Sequence, residues 1–268
     1  MLVRRVVAPN PGPYTGPGTN TWILGGDPVS AVIDPGPDDE AHLAAIEARL
    51  GASQLALVLV THSHPDHLPL AERLANKHRA RLARYPELQD GDLLSVGKVR
   101  LKALHTPGHA SDHLAFLVED DGAVFTGDLV LGQGSTMITY PDGDMAAYLR
   151  SLERLIELRP RILFPGHWDP VEAPLEKLEE YRRHRLDRER QVLAAVAQGE
   201  ADAAELTRRV YSEELAGAGE NRETLMAAAQ QTLRAHLEKL VAEERVRQSG
   251  ERYSPASQPG PSGSSSGG

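Results

Sequence analysis

Residues 57–74 read LVLVTHSHPDHLPLAERL, and three histidines and an aspartate fall within the six positions from His62 to His67. Shorter stretches carry the same residue types: TPGH at 106–109, TGD at 126–128 and PGH at 165–167. Together they offer His62, His64, His67, His109 and His167 with Asp66 and Asp128, and the chain has no cysteine. Imidazole nitrogens and carboxylate oxygens bind divalent cations, and a thiolate-free set of this size suits two of them. Structural zinc sites close the tetrahedron, usually with cysteine, whereas catalytic sites keep a position for water. Two ions ~3.5–4 Å apart can share a hydroxide and polarise the bond it attacks, and a carboxylate can bridge them through its two oxygens.

Such motifs need strands to bring them together, and each follows one. QLALVLV is a continuous apolar run, the pattern of a strand buried on both faces, and it leads into THSHPDH. GKVRLKALHT alternates and leads into TPGH; HLAFLVEDDGAVFTGD reads as two strands around the turn EDDG; RILFPGH is a last short strand. TNTWILGG and VSAVIDPG are earlier strands. DDEAHLAAIEARLG, LPLAERLANKH and MAAYLRSLERLIELRP are helical, with acidic starts or Gly and Pro stops on the first and last.

The character changes near residue 174. PLEKLEEYRRHRLDRERQVLAAVAQ is a charged helix, DAAELTRRVYS a second, and a third runs over about 223–245. Met226, Ala229, Leu233, Leu237, Leu240 and Val241 form its apolar stripe. A hairpin, VRQSGERYSP, turns at Ser249-Gly250, and this is the outline of a winged helix. The organisation expected is therefore a domain over 1–173, a charged helical linker over 174–190, a winged-helix-like domain over 191–255 and a disordered Gly/Ser/Pro tail over 256–268.

At 268 residues, with 40% hydrophobic and 25% charged residues, the chain is an ordinary globular composition. No apolar run approaches the ~20 residues of a membrane span, and the N-terminal MLVRRVVAPNPGPY has no signal-peptide core. A cytoplasmic location and no membrane partner are expected. The net charge of −9 argues against indiscriminate nucleic-acid binding.

The motifs resemble those of the metallo-β-lactamase superfamily: the His-x-His-x-Asp-His signature is His62, His64, Asp66 and His67. The resemblance implies an α+β fold, an αββα sandwich. It also implies a first ion on His62, His64, His109 and Asp128, and a second on Asp66, His67, Asp128 and His167. Two Zn2+ are implied, with Mn2+ or Fe2+ also accepted by such donors. Asp34, in VIDPG, matches an aspartate that supports the site from behind. The added winged helix, with TPGHASDHLAF, GDLVLGQGST and the HRxxRExQ pattern at 184–191, resembles the β-lactamase-like protein 2 family. That resemblance implies endonucleolytic cleavage of single-stranded RNA with zinc. The residues are read as serving a metal-bridging hydroxide, with Asp66 and Asp128 at the reacting centre and His113 as the candidate proton donor. His113 has a second reading, as a scaffold histidine. Trp168 stands where a glycine is common in that family, and the stretch TYPDGDMAAYL also departs from it.

Two alternatives stay open. One is glyoxalase II-like thioester hydrolysis, although no matching set of glutathione-binding residues follows position 174. The other is a winged-helix DNA-binding regulator with a metal-sensing domain. Residues 181–190 hold five arginines against Asp187 and Glu189, either a phosphate-tracking patch or a solvated helix face. Residues 191–255 hold eight Lys/Arg and eleven Asp/Glu, so the winged helix is acidic and suited to shaping a channel or to a homodimer contact. His42, His78, His184 and His236 are expected on solvated helix faces, and His105 as structural.

Overall fold

Alternating apolar residues build two five-stranded sheets in the computed structural model, which describes residues 2–138, 140–217, 219 and 222–256. The chain divides into two compact units, Met1–Arg185 and Leu186–Gly268.

In the first unit one sheet has the order β1 (Val3–Val7), β2 (Asn20–Gly26), β3 (Val29–Ile33), β4 (Gln54–Leu59), β5 (Arg81–Ala83). The other has the order β10 (Ile162–Pro165), β9 (Ala123–Gly127), β8 (Leu114–Val118), β7 (Val99–His105), β6 (Leu93–Val96). Trp22, Leu24, Ile33, Leu57 and Leu59 of the first sheet share a core with Leu101, Phe116, Phe125 and Phe164 of the second. The opposite face of the first sheet presents Ile23, Val32, Val58 and Val60 to α1 (Glu40–Leu50) and α2 (Leu70–His78). β4 is thus buried on both faces, as its unbroken apolar run predicts. The α+β sandwich expected of the first domain is present. The short strands β1, β5 and β6 are additions to the sequence pattern.

Strand direction makes the site. β3, β4 and β5 are parallel to one another. β9 and β10 are parallel, and β7 runs with them because β7 and β9 are each antiparallel to β8. The loops that leave β4, β7, β9 and β10 carry the four motifs. Backbone bonds tie the sheets together there: Leu114 N–H donates to Thr61 O (2.7 Å) and Asn20 N–H to Gly166 O (2.7 Å). Helix α3 (Met145–Leu158), capped by Asp144, bonds the ends of β7 and β9 through Arg154 to His105 O and Tyr148 Oη to Leu129 O.

The second unit holds the C-terminal part of α4 (Pro174–Ala197), then β11 (Ala201–Asp202), α5 (Ala203–Val210), α6 (Ser212–Gly217), α7 (Arg222–Ala242), β12 (Val246–Ser249) and β13 (Arg252–Pro255). Its sheet has the order β11-β13-β12, and Ala229, Leu233, Leu237 and Leu240 of α7 lie in its core with Val192, Leu206 and Tyr253. This is the expected winged helix, with α6 and β11 added. The hairpin turns at Gly250-Glu251, since Ser249 pairs with Arg252. The expected tail lies outside the described residues apart from Ala256. No helix among the described residues is long and apolar enough to cross a membrane.

Two histidines expected on solvated faces are buried instead: His42, bonded to Thr21 Oγ1 (2.8 Å), and His236. Each shares its helix with apolar neighbours of the core, Leu43 and Ile46 for the first, Leu233 and Leu237 for the second, so the apolar stripe is wider than hydropathy suggests.

Candidate metal centre

The seven predicted residues converge, and they do so as two donor groups. His62, His64 and His109 form one; Asp66, His67, Asp128 and His167 form the other, with one donor atom per residue lying within 4.8 Å of its companions. In the first, His64 Nδ1 lies 3.0 Å from both His62 Nε2 and His109 Nε2. Nitrogens at ~2.0–2.1 Å around a tetrahedral zinc would stand about 3.3 Å apart, so this spacing suits a cation. In the second, Asp66 Oδ2 lies 3.3 Å from His67 Nε2 and 3.2 Å from His167 Nε2.

Asp128 faces both groups. Its Oδ1 is 3.5 Å from His67 Nε2, and its Oδ2 is 3.4 Å from His167 Nε2 and 3.8 Å from His109 Nε2. His67 Nε2 and Asp128 Oδ1 are buried and have no hydrogen-bond partner, which is costly unless something between them is bound. Gly166 leaves the space: a Cβ there would sit 2.3 Å from Asp128 Oδ1 and 2.8 Å from the His67 ring. The orphaned atoms, the clear space and the nitrogen–oxygen donor set together fit divalent cations.

Four of the five histidines are aimed by a bond on the far side of the ring, which fixes the tautomer. His67 Nδ1–H donates to Asp34 Oδ2 (3.0 Å), His109 Nδ1–H to Met137 O (2.5 Å) and His167 Nδ1–H to Gly18 O (3.2 Å). Asp34 serves both groups. It also accepts from Thr61 N–H (2.7 Å) and Thr61 Oγ1 (2.8 Å), and that hydroxyl accepts from His62 Nδ1–H (3.0 Å). Asp34 holds φ 51°, a left-handed conformation that aspartate tolerates. The supporting position expected for it is the one it occupies.

His113 is fully buried behind Asp128. Its Nδ1 bonds Thr106 Oγ1 (2.9 Å), and its Nε2 accepts from the Asp128 backbone N–H (3.2 Å). Both nitrogens are spent, so the proton-donor reading gives way to the scaffold one, in which His113 positions Asp128.

Charge separates the groups. Burial lowers His62 well below its ordinary value and His109 to about 4, so these two are neutral. Burial also opposes charge on His67 and His167, but the Asp128 carboxylate outweighs it, raising His67 strongly and His167 to about 10. The Asp66 and Asp128 carboxyls, despite burial, are held low by those same histidines.

Two residues outside the motifs shape the rim. Trp168 adopts φ 64°, where a bulky side chain is strained and glycine is not. Its carbonyl accepts from Asn20 Nδ2 (2.6 Å) and Arg5 (3.0 Å), which hold it there. The indole lies on Gly16, where a Cβ would come within 2.4 Å of the ring. Thr19, which no motif flags, donates from Oγ1 to Asp66 Oδ2 (3.2 Å).

The arginine run over 181–190 divides: Arg183 and Arg190 lie on a solvated helix face, and the rest is drawn into the protein. Arg185 and Arg188 are buried, Arg182 and Arg190 pair with Glu179 and Asp187, and Glu189 pairs with Lys239 and Arg245.

Known proteins agree with this architecture. The family described as the metallo-beta-lactamase superfamily matches residues 14–90 and 80–167, and the beta-lactamase associated winged helix domain matches residues 219–254. A β-lactamase-like protein 2 homolog of Drosophila melanogaster is 30% identical, over 91% of this chain and 89% of its own. An atrochrysone carboxyl ACP thioesterase of Aspergillus fumigatus is 35% identical, over 78% and 73%. The crystal structure of a metallo-beta-lactamase family protein of Thermus thermophilus superposes with a TM-score of 0.80 at 26% identity, covering 94% of this chain and 98% of that one.

Proposed function

The chain belongs to the metallo-β-lactamase superfamily and is a hydrolase of that kind, and from that premise we propose that it is a dinuclear enzyme, using zinc, that cleaves an acyl thioester. The observation that carries the dinuclear reading is Asp128, whose carboxylate reaches toward both donor groups. His62, His64 and His109 with Asp128 would hold one ion, and Asp66, His67 and His167 with Asp128 the other. Bound there, the ions supply Lewis acidity, which lowers the pKa of water and polarises the bond under attack.

The protein's own groups do the rest. Asp34, Met137 and Gly18 keep a lone pair of His62, His67, His109 and His167 turned inward. Asp66 is the more exposed carboxylate, with 25% of its side chain accessible against 12% for Asp128, and it accepts from and orients the attacking water.

Two facts favour a thioester. A thiol of pKa ≈ 8.5 leaves as thiolate without a proton donor, whereas an alkoxide calls for one. His113, the candidate donor, has both nitrogens engaged. Arg185 and Arg188, the centre of the supposed phosphate track, are buried and bonded within the protein. Single-stranded RNA cleavage is the second reading, favoured by the resemblance to the β-lactamase-like protein 2 homolog, which extends over the winged helix. A cytoplasmic setting accompanies either substrate.

The test offers the zinc-loaded protein an acyl-glutathione thioester and a labelled single-stranded RNA, with Asp66→Ala alongside. Thioester turnover that disappears in the variant is expected. RNA cleavage that disappears in the variant, with the thioester intact, would establish the second reading, and turnover of neither would remove both.

A further inference from the structure

The HRxxRExQ pattern at 184–191 is not accounted for by the donor groups, yet one of its arginines leads back to them. Arg185, on α4, is 2% exposed. Its guanidinium stands 5.3 Å from the Tyr148 ring centroid, donates to Ser135 Oγ (2.7 Å) and donates to the Thr136 carbonyl. No ion pair reaches it among the described residues, and its Nε is buried without a partner. A buried cation without a carboxylate is an expensive way to fill space, since an apolar side chain would cover Tyr148 at less cost.

What Arg185 holds is the loop that leaves β9. That loop touches the site at three places. Thr136 Oγ1 donates to Asp128 O (2.6 Å), Met137 O accepts from His109 Nδ1–H (2.5 Å), and Gly132 N–H donates to His167 O (3.1 Å). Other anchors secure its near end: Tyr148 Oη donates to Leu129 O (2.7 Å), and Leu131 N–H donates to Tyr181 Oη (3.1 Å). The far end, 135–136, is gripped by Arg185, immediately before Met137.

We propose that Arg185 is a positioning residue for the metal centre, clamping the loop so that Met137 fixes the His109 tautomer and Thr136 fixes the backbone of Asp128. Both bonds leave from one nitrogen, Nη2, whose two hydrogens serve the Ser135 hydroxyl and the neighbouring Thr136 carbonyl while the guanidinium lies against the Tyr148 ring; a lysine ammonium can bond the same acceptors but lacks the planar face on the ring. The inference rests on the reading of His109 and Asp128 as metal ligands.

The experiment measures zinc affinity by competition with a chromophoric chelator for the full chain and for Arg185→Met and Arg185→Lys. Thermal melts of the zinc-free forms accompany it. Arg185→Met keeps the apolar stem on Tyr148 and removes the Nη2 donor. Its zinc affinity should fall ~10–100-fold, the usual range for groups that orient ligands, and Arg185→Lys should recover part of that loss. A folded Arg185→Met with the affinity of the parent, whatever its melt, overturns the proposal. If Arg185→Met does not fold, Arg185→Lys decides: parental affinity overturns the clamp, and a loss supports it. A parent that takes up no zinc refutes the metal reading itself, and the clamp with it. A parent that binds zinc but hydrolyses neither substrate leaves the clamp to stand on its affinities while the substrate reading falls.

Discussion

His62, His64 and His109 bring three imidazole nitrogens together with no carboxylate among them, whereas the neighbouring group sets Asp66 and Asp128 against His67 and His167. In the first, burial keeps His62 and His109 neutral, His109 at about 4, so at neutral pH their nitrogens are open to a cation. The second draws positive charge, with His167 raised to about 10 by Asp128 against the effect of burial, so a cation entering it must displace protons. One half is prepared by geometry and the other by electrostatics, and Asp128 belongs to both. The difference shows what each aspartate adds: seven histidines in the same places would give the second half no negative charge to set against that of an ion.

The largest effect should follow from breaking the shared residue. Asp128→Ala is expected to weaken both ions and to lower turnover by more than the ~100-fold seen for groups that merely orient ligands. Elemental analysis that still finds a full complement of metal would refute the bridging role. A smaller effect separates the halves. Asp34→Asn touches His67 directly and His62 through Thr61, so it should loosen both ions by ~10–100-fold. Thr61→Val removes the link to His62 and one bond on Asp34 but leaves the Asp34–His67 bond in place, so it should loosen the first ion more than the second. Calorimetric titration resolves the two cases, and equal effects on both steps in Thr61→Val would erase the distinction between the halves.

The smallest effect comes from a buried histidine outside both groups. Burial lowers the His42 pKa below its ordinary 6.5. The unfolded chain therefore takes up a proton there that the folded chain resists, and stability present above pH ~6.5 is lost as pH falls toward the lowered value. His42→Gln can keep the contact with Thr21 without titrating. Its melting temperature should fall less between pH 7 and pH 5 than that of the parent, and parallel curves would show that His42 contributes nothing to the acid response.

Much of the site is legible in the sequence because chemistry and topology coincide there. The motifs after β4, β7, β9 and β10 carry the donor atoms, and each ends a strand whose apolar pattern is plain. The supporting position of Asp34 follows from resemblance and is matched by its bonds, and the winged helix, read from three helices and a hairpin, is present. What hides is burial against type. Arg185, Arg188, His42 and His236 read as surface residues because charge and polarity usually lie outside, and only tertiary neighbours reveal that each is enclosed. Strands β1, β5 and β6 are too short or too polar to declare a period. Trp168 at positive φ breaks a local rule, and a tryptophan gives no sign of its own that the backbone there turns left-handed.

The most direct measurement is a metal titration of the chelator-stripped protein followed by elemental analysis. Uptake of two zinc ions per chain is expected, with hydrolysis appearing only as the sites fill. Uptake of a single ion with full activity, or activity in the stripped protein, would contradict the dinuclear centre.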